Sequence, residues 1–232
     1  MQGPPADSHI DTPADYYERI ADGYRADRFG NSYGRFIDAE ERRWLERCLA
    51  QRIDGPVLDL ACGDGRFSDR CDLGIDLSAG MLRVARTHHP QRAFARADAT
   101  AWPLADASLA AAFSFHLAMH LQPSQLRTLF AEAHRCLQPG GLLLIDVPGR
   151  LRRRLRPHRS DIAQWHGHSA YDLADVSALA DGFTVVSAQG LLILPLHRVP
   201  KRWRPFVAGI DRTLCALMRP LASYQLLCLR KL

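Results

Sequence analysis

The chain has 232 residues, 47% apolar and 24% charged, a balance that excludes bulk disorder, collagen-like repeats and a disulfide-stapled miniprotein. No apolar run approaches the ~20 residues that span a bilayer, and the opening stretch MQGPPADSHIDTPADYYER has no apolar core of the kind a secretory signal needs. The formal charge of +5 is uneven: residues 150–232 hold 14 of the 30 Lys and Arg but 5 of the 25 Asp and Glu, net +9, which leaves −4 for residues 1–149 and points the C-terminal part toward an anionic substrate, a membrane surface or nucleic acid.

Residues 1–11 are polar with a Pro-Pro pair and are expected to be disordered. Thr12-Pro13-Ala14-Asp15 reads as a helix start, with a threonine cap, proline in the first turn and an acid three residues on. Residues 30–34 read as a break. A second helix is predicted from about Asp38, with Glu41 completing its capping box and Trp44, Leu45, Cys48 and Leu49 as its apolar face. From residue 56 short apolar runs alternate with helical stripes. Strands are predicted over 56–61, 73–76, 93–97, 109–115 and 142–147. Helices follow the cap Ser78 and occupy 124–137, the latter stopped by Pro139-Gly140-Gly141. That alternation argues for a parallel sheet with helices on both faces. The tail reads as helix 172–180, strand 183–187, helix 203–218 and a last strand 223–229. Six scattered cysteines with no CxxC pair fit a reduced, cytoplasmic setting.

The strongest local signal is Val57-Leu-Asp-Leu-Ala-Cys-Gly-Asp-Gly-Arg-Phe67, a strand running into a glycine turn and then a short helix. Glycines let backbone approach a ligand, and a helix N-terminus suits an anion. A dinucleotide fingerprint from Gly63 needs glycine where Ser68 stands. Its acid should lie ~20 residues on, whereas Asp76 is 11 past Gly65. No Walker A sequence follows. His116 and His120 have i, i+4 spacing, but no third ligand accompanies them, so no metal site is expected.

Asp59-Leu-Ala-Cys-Gly63-Asp-Gly65 resembles the first motif of class I S-adenosylmethionine-dependent methyltransferases. Gly74-Ile-Asp76-Leu-Ser78 with Met81, Arg96-Ala-Asp98-Ala99, the stretch 113–121 and Arg135-Cys-Leu-Gln-Pro-Gly-Gly resemble the later motifs, in order, across 56–147. The style is that of the small-molecule, ubiquinone- or menaquinone-type subgroup. The resemblance implies a Rossmann-like α/β sandwich of seven strands, the last antiparallel. It implies one domain over 12–232, with a helical cap at 12–51, a cofactor-binding core at 56–147 and a substrate-side segment at 148–232. It also implies S-adenosyl-L-methionine as cofactor. Asp59, Ala61, Gly63 and Gly65 would stand near its methionine part, with Ala61 where the family usually has glycine. Asp76 would take the ribose hydroxyls, Leu77 and Met81 would pack on adenine, Asp98 and Ala99 would meet its edge, and Phe115 and His116 would face the cofactor. The stretch 59–76 is shorter than in most members. Its crossover helix should be about two turns, and either the fold is trimmed there or cofactor affinity is reduced.

Methyl transfer from a sulfonium needs mainly alignment, with a base only for a hydroxyl of high pKa. Candidate bases are His116, His120, His166 and His168. Tyr24, Tyr33, Arg150 and Tyr171 are the substrate-side candidates, and Tyr16, Tyr24 and Tyr33 are candidates to cover the cofactor. The arginine run from Arg150 to Arg159 and the basic 198–219 stretch are the cationic features. The helix at 203–218 reads first as packed on the domain, with peripheral membrane contact through 198–219 as the alternative. The expected activity is methylation of a small lipophilic or anionic acceptor, oxygen preferred. The alternatives are a tRNA-modifying methyltransferase and a non-catalytic cofactor- or partner-binding relative.

Overall fold

A computed structural model describes residues 12–155 and 169–232. The disorder expected at 1–11 lies outside them, as do Arg156, Arg159, His166 and His168. Helix α1 (Pro13–Ile20) starts on the expected box: the Thr12 hydroxyl accepts from the Asp15 N–H, and the Asp15 carboxylate accepts from the Thr12 N–H at 3.0 Å. Helix α2 is Tyr24–Phe29 and helix α3 is Ser32–Leu49. The second long helix therefore begins six residues before the expected Asp38. Asn31 is its cap, accepting from the Tyr33 and Gly34 N–H groups. Gly34 is no breaker. A Cβ there would lie 2.1 Å from the Arg28 carbonyl, so glycine lets α3 approach α2 closely.

Seven strands, β1 (Val57–Leu60), β2 (Leu73–Asp76), β3 (Ala93–Arg96), β4 (Leu109–Ser114), β5 (Leu137–Pro148), β6 (Phe183–Leu191) and β7 (Tyr224–Lys231), form one sheet in the order β3-β2-β1-β4-β5-β7-β6. The first five are parallel, and β7 lies antiparallel between β5 and β6, as expected for the last strand. Helices α4 (Ala79–His88), α5 (Pro123–Cys136), α6 (Arg150–Leu155), α7 (Leu173–Leu179) and α8 (Arg204–Leu217) complete the chain. One face of the sheet buries Leu126, Leu129, Phe130 and Val176 from α5 and α7. The other buries Ile37, Trp44, Leu45 and Ala208 from α3 and α8. β1 and β4 are buried throughout, which is why they read as near-continuous apolar runs. No helix among the described residues is long and apolar enough to cross a membrane.

Two local expectations are corrected. α5 ends at Cys136, before Pro139-Gly140-Gly141, and that stretch, with Gly140 at φ +79°, lies inside β5, which begins at Leu137. The two-turn helix expected between β1 and β2 is absent. Its place is taken by a single 3-10 turn, Ser68–Arg70. Successive i to i+3 bonds join Gly65 to Cys62, Ser68 to Gly65 and Arg70 to Phe67, while Asp72 N–H donates to Val57. A 3-10 path rises ~2.0 Å per residue against 1.5 Å for an α-helix, so eleven residues can close a crossover too short for α-helical turns. Consequently the glycine turn leads into a 3-10 turn, not into the N-terminus of an α-helix.

Candidate functional site

A cavity of about 270 Å³ lies beyond the carboxyl ends of β1, β2 and β4. Nine of the eleven candidate cofactor positions line it: Ala61, Gly63, Asp76, Leu77, Met81, Asp98, Ala99, Phe115 and His116. Gly63 has φ +54°, and a Cβ there would meet nothing within 4 Å, so bare backbone faces the opening. Ala61 and His116 hold φ +56° and +62°, a left-handed conformation costing a non-glycine residue roughly 1–2 kcal/mol. The Asp76 carboxylate accepts from Gly63 N–H and Ser78 N–H, each at 2.8 Å, and so ties the glycine turn to the start of α4. Burial pushes its pKa up, against those two backbone bonds. Asp98 stands exposed at the rim, one oxygen accepting from the Thr100 N–H and hydroxyl at 2.7 Å.

The remaining candidates fall elsewhere. Asp59 is buried in an adjoining space of about 40 Å³, where burial raises its pKa well above the carboxylate range. Gly65 does not line the cavity. At φ +78°, a Cβ there would lie 3.1 Å from His89 and 3.3 Å from Ala85 and Phe94, so this glycine serves packing against α4 and β3. Gly65→Ala should cost about 1–2 kcal/mol in chemical denaturation while changing cofactor affinity little.

Tyr171 is core, not substrate-side: it is 3% exposed and donates to the Leu121 carbonyl at 2.8 Å. Tyr171→Phe should lower stability by about 1 kcal/mol and leave kcat/KM unchanged. Arg150 turns to α7, with Asp175 at 2.6 Å and Asp172 at 3.7 Å. Tyr33 packs on His197 in a separate hollow beside α8. Tyr24 lines the cavity, and burial raises its pKa. His120 also lines it, its Nε2 3.2 Å from the Tyr17 hydroxyl.

Behind Phe115 and His116 lies a buried charge cluster. His116 Nε2 is 3.0 Å from Glu41 of α3, and Nδ1 is 3.3 Å from Asp146 of β5. Asp146 also accepts from the His116 backbone N–H at 2.6 Å. The second Glu41 oxygen pairs with Arg66 at 2.7 Å, which also reaches Asp38 at 3.0 Å. The Arg66 guanidinium sits 4.1 Å and 4.0 Å from the ring centroids of Phe29 and Phe67. Burial opposes charge on His116, but the two carboxylates win and raise its pKa to about 9. Glu41 is likewise opposed by burial, yet Arg66 and His116 lower it to about 2. Both His116 nitrogens lie within ion-pair distance of carboxylates, an arrangement that favours the charged imidazole.

The cap helices close over the site through polar ties. The Glu18 carboxylate accepts from the Ser78 hydroxyl and Gly80 N–H, each at 2.7 Å. Arg25 donates to the buried Asp64 carboxylate at 2.7 Å and to its carbonyl at 3.0 Å. Tyr17 brings its hydroxyl to His120, and Pro13 and Ala14 add apolar wall. Reading by sequence missed Tyr17 as a lining residue and missed the roles of Glu41, Asp146 and Arg66. For Glu41 a signal existed: Ile37, Glu41, Trp44, Leu45 and Cys48 share one helical face, and a carboxylate on an apolar stripe needs a buried cation.

Residues 58–145 match a family model described as a methyltransferase domain. A trans-aconitate 2-methyltransferase of Sinorhizobium medicae is 34% identical over 130 residues, 51% of this chain and 49% of that protein. A demethylmenaquinone methyltransferase of Paenarthrobacter aurescens is 35% identical over 116 residues, 46% of this chain and 45% of that protein. The chain thus spans about half the length of the curated relatives it matches. A solved structure of a S-adenosylmethionine-dependent methyltransferase from Thermotoga maritima shares the fold, with TM-score 0.64 at 14% identity over 97% of this chain and 100% of that one.

Proposed function

We propose that this chain, which belongs to the class I S-adenosylmethionine-dependent methyltransferase superfamily through its residues 58–145, transfers a methyl group to a small acceptor, lipophilic or anionic, with oxygen as the preferred target. The observation that carries this reading is the convergence of nine motif positions, from four separated stretches of the chain, on one cavity. The residues fit the superfamily's cofactor. An acceptor-only carboxylate at Asp76 suits a pair of hydroxyl donors, Gly63 leaves room for close approach, and Leu77 and Met81 give an apolar bed. When bound, S-adenosylmethionine supplies an already activated methyl group.

The chain's own residues would do the rest by holding and excluding. Asp76 and the Gly63 backbone hold the donor side. Tyr17, Tyr24, Phe115 and Leu121 exclude water and shape the acceptor side. On this reading His116 is charged between Glu41 and Asp146, at 3.0 and 3.3 Å, and does not serve as the base. An acceptor oxygen that is already ionised needs no base, which favours a carboxylate. Trans-aconitate, in the name of the Sinorhizobium relative, is such an acid. We take residues 12–232 as one methyltransferase domain, since β6 and β7 complete the sheet that β1 to β5 begin.

A turnover assay with labelled methyl donor should show transfer to di- and tricarboxylic acids ahead of phenols and quinols. Preference for quinols would move the reading to a lipophilic acceptor. Cofactor binding with no transfer to any acceptor would favour the non-catalytic relative.

A further inference from the structure

The inner face of α8 is packed and its outer face is not. Ala208, Asp211 and Cys215 are buried against the sheet side. On the opposite side Phe206 is 68% exposed, Ile210 41% and Leu217 77%, with Trp203 at 54% just before the helix and Met218 at 45% just after it. At 100° per residue, Phe206, Ile210 and Leu217 fall within about 40° of one another, a single solvent-facing stripe. A contiguous exposed apolar surface of this kind marks an interaction site.

The charges beside the stripe have one sign. Between residues 182 and 232 the one acid is Asp211. It is 1% exposed and accepts from the Ile193 and Leu194 N–H groups, so it adds no negative surface. Arg198, Lys201 and Arg202 are exposed, and among the described residues no carboxylate pairs with them. Arg202 also lies over the Trp203 ring, 5.8 Å from its centroid. The short helix α6 packs on the turn Arg219–Leu221 that follows α8, and it too exposes leucines, Leu151 and Leu155, between arginines. Because β5 runs parallel to β4 and leads directly into α6, this apolar and basic surface reaches the end of the sheet at which the cavity opens.

We infer that α8 lays this protein on an anionic membrane surface, Phe206, Ile210 and Leu217 entering the acyl boundary, Trp203 at the headgroup level and Arg198, Lys201 and Arg202 against lipid phosphates. A second copy of this chain fits the stripe poorly. A two-fold contact through α8 would set the same cations against themselves. The inference stands apart from the identity of the methyl acceptor.

Flotation of the full chain with phosphatidylcholine vesicles, with and without phosphatidylglycerol, tests it. Binding should require the anionic lipid and weaken as salt rises. Phe206→Ser combined with Leu217→Ser should lower partitioning at least about tenfold, and Lys201→Glu with Arg202→Glu should lower it by a further factor of about ten or more. These positions are exposed, so circular dichroism and thermal unfolding should match the parent. Binding to neither vesicle, equal binding to both, or binding unaffected by either pair of substitutions would overturn the inference. So would a concentration-dependent dimer abolished by Phe206→Ser, which would make the second copy the occupant, or RNA binding without vesicle binding.

Discussion

Asp76→Ala should weaken binding of S-adenosylhomocysteine by at least about a hundredfold. The side chain does two jobs. It presents a carboxylate to the cavity, and it holds Gly63 N–H and Ser78 N–H at 2.8 Å, which fixes the glycine turn relative to α4. Two hydrogen bonds from ribose hydroxyls to a charged carboxylate, at about 1.5–3 kcal/mol each, correspond on loss to roughly two to four decades in Kd. Asp76→Asn should fall between parent and alanine variant. Its single amide oxygen can serve one N–H, and its NH2 then faces the other donor. Calorimetric titration reads the affinity, and thermal unfolding of the same samples separates site loss from unfolding. Unchanged affinity in the alanine variant would refute the ribose role assigned to Asp76.

Glu41→Ala should be the most destabilising single change near the site, by about 3–5 kcal/mol. It leaves Arg66 with Asp38 and His116 with Asp146, two buried cations each short of one carboxylate. For a chain of this size that corresponds to a fall in Tm on the order of 10 °C. The pH dependence carries the same signature. Glu41 and Asp146 outweigh burial and raise the His116 pKa from an ordinary 6.5 to about 9, so the native state is expected to hold the extra proton between those values. The stability it contributes is fully present below about pH 6.5 and is lost as pH rises toward 9. Glu41, lowered from 4.5 to about 2, contributes stability present above about pH 4.5 and lost as pH falls toward 2. Denaturant unfolding across pH 6–9 should therefore show the parent losing stability as pH rises. In Glu41→Gln the alkaline decline should be shallower, because Asp146 alone holds the His116 proton less firmly. A parent with flat stability from pH 6 to 9 would contradict the account of this cluster.

The centre of the sheet was legible in the sequence because β1 and β4 are short and buried throughout. The Thr12 box and the Ser78 cap appear where their residue types require them. What escaped was long-range. The start of α3 was misplaced because Gly34, in sequence a breaker, is in the fold a contact with the Arg28 backbone. The missing crossover helix was misread because periodicity says nothing about the distance eleven residues must cover. Of the cavity, nine of the eleven expected positions were legible because they sit at strand ends within local motifs. The wall added by the cap helices and the charge cluster behind the cavity were not. Tyr17, Glu41 and Asp146 come from three elements far apart in sequence, and only packing brings them to His116 and His120. Tyr171 and Arg150 misled for the complementary reason: both follow the fifth strand near the expected cleft, yet a backbone carbonyl and two aspartates on α7 draw them away.

The most direct test of the central claim is a crystal structure of the chain grown with S-adenosylhomocysteine. The account predicts density for the ligand in the cavity bounded by Gly63, Met81 and Phe115, with ribose hydroxyls on the Asp76 carboxylate. Density at another place, or ribose held by a residue other than Asp76, would contradict it.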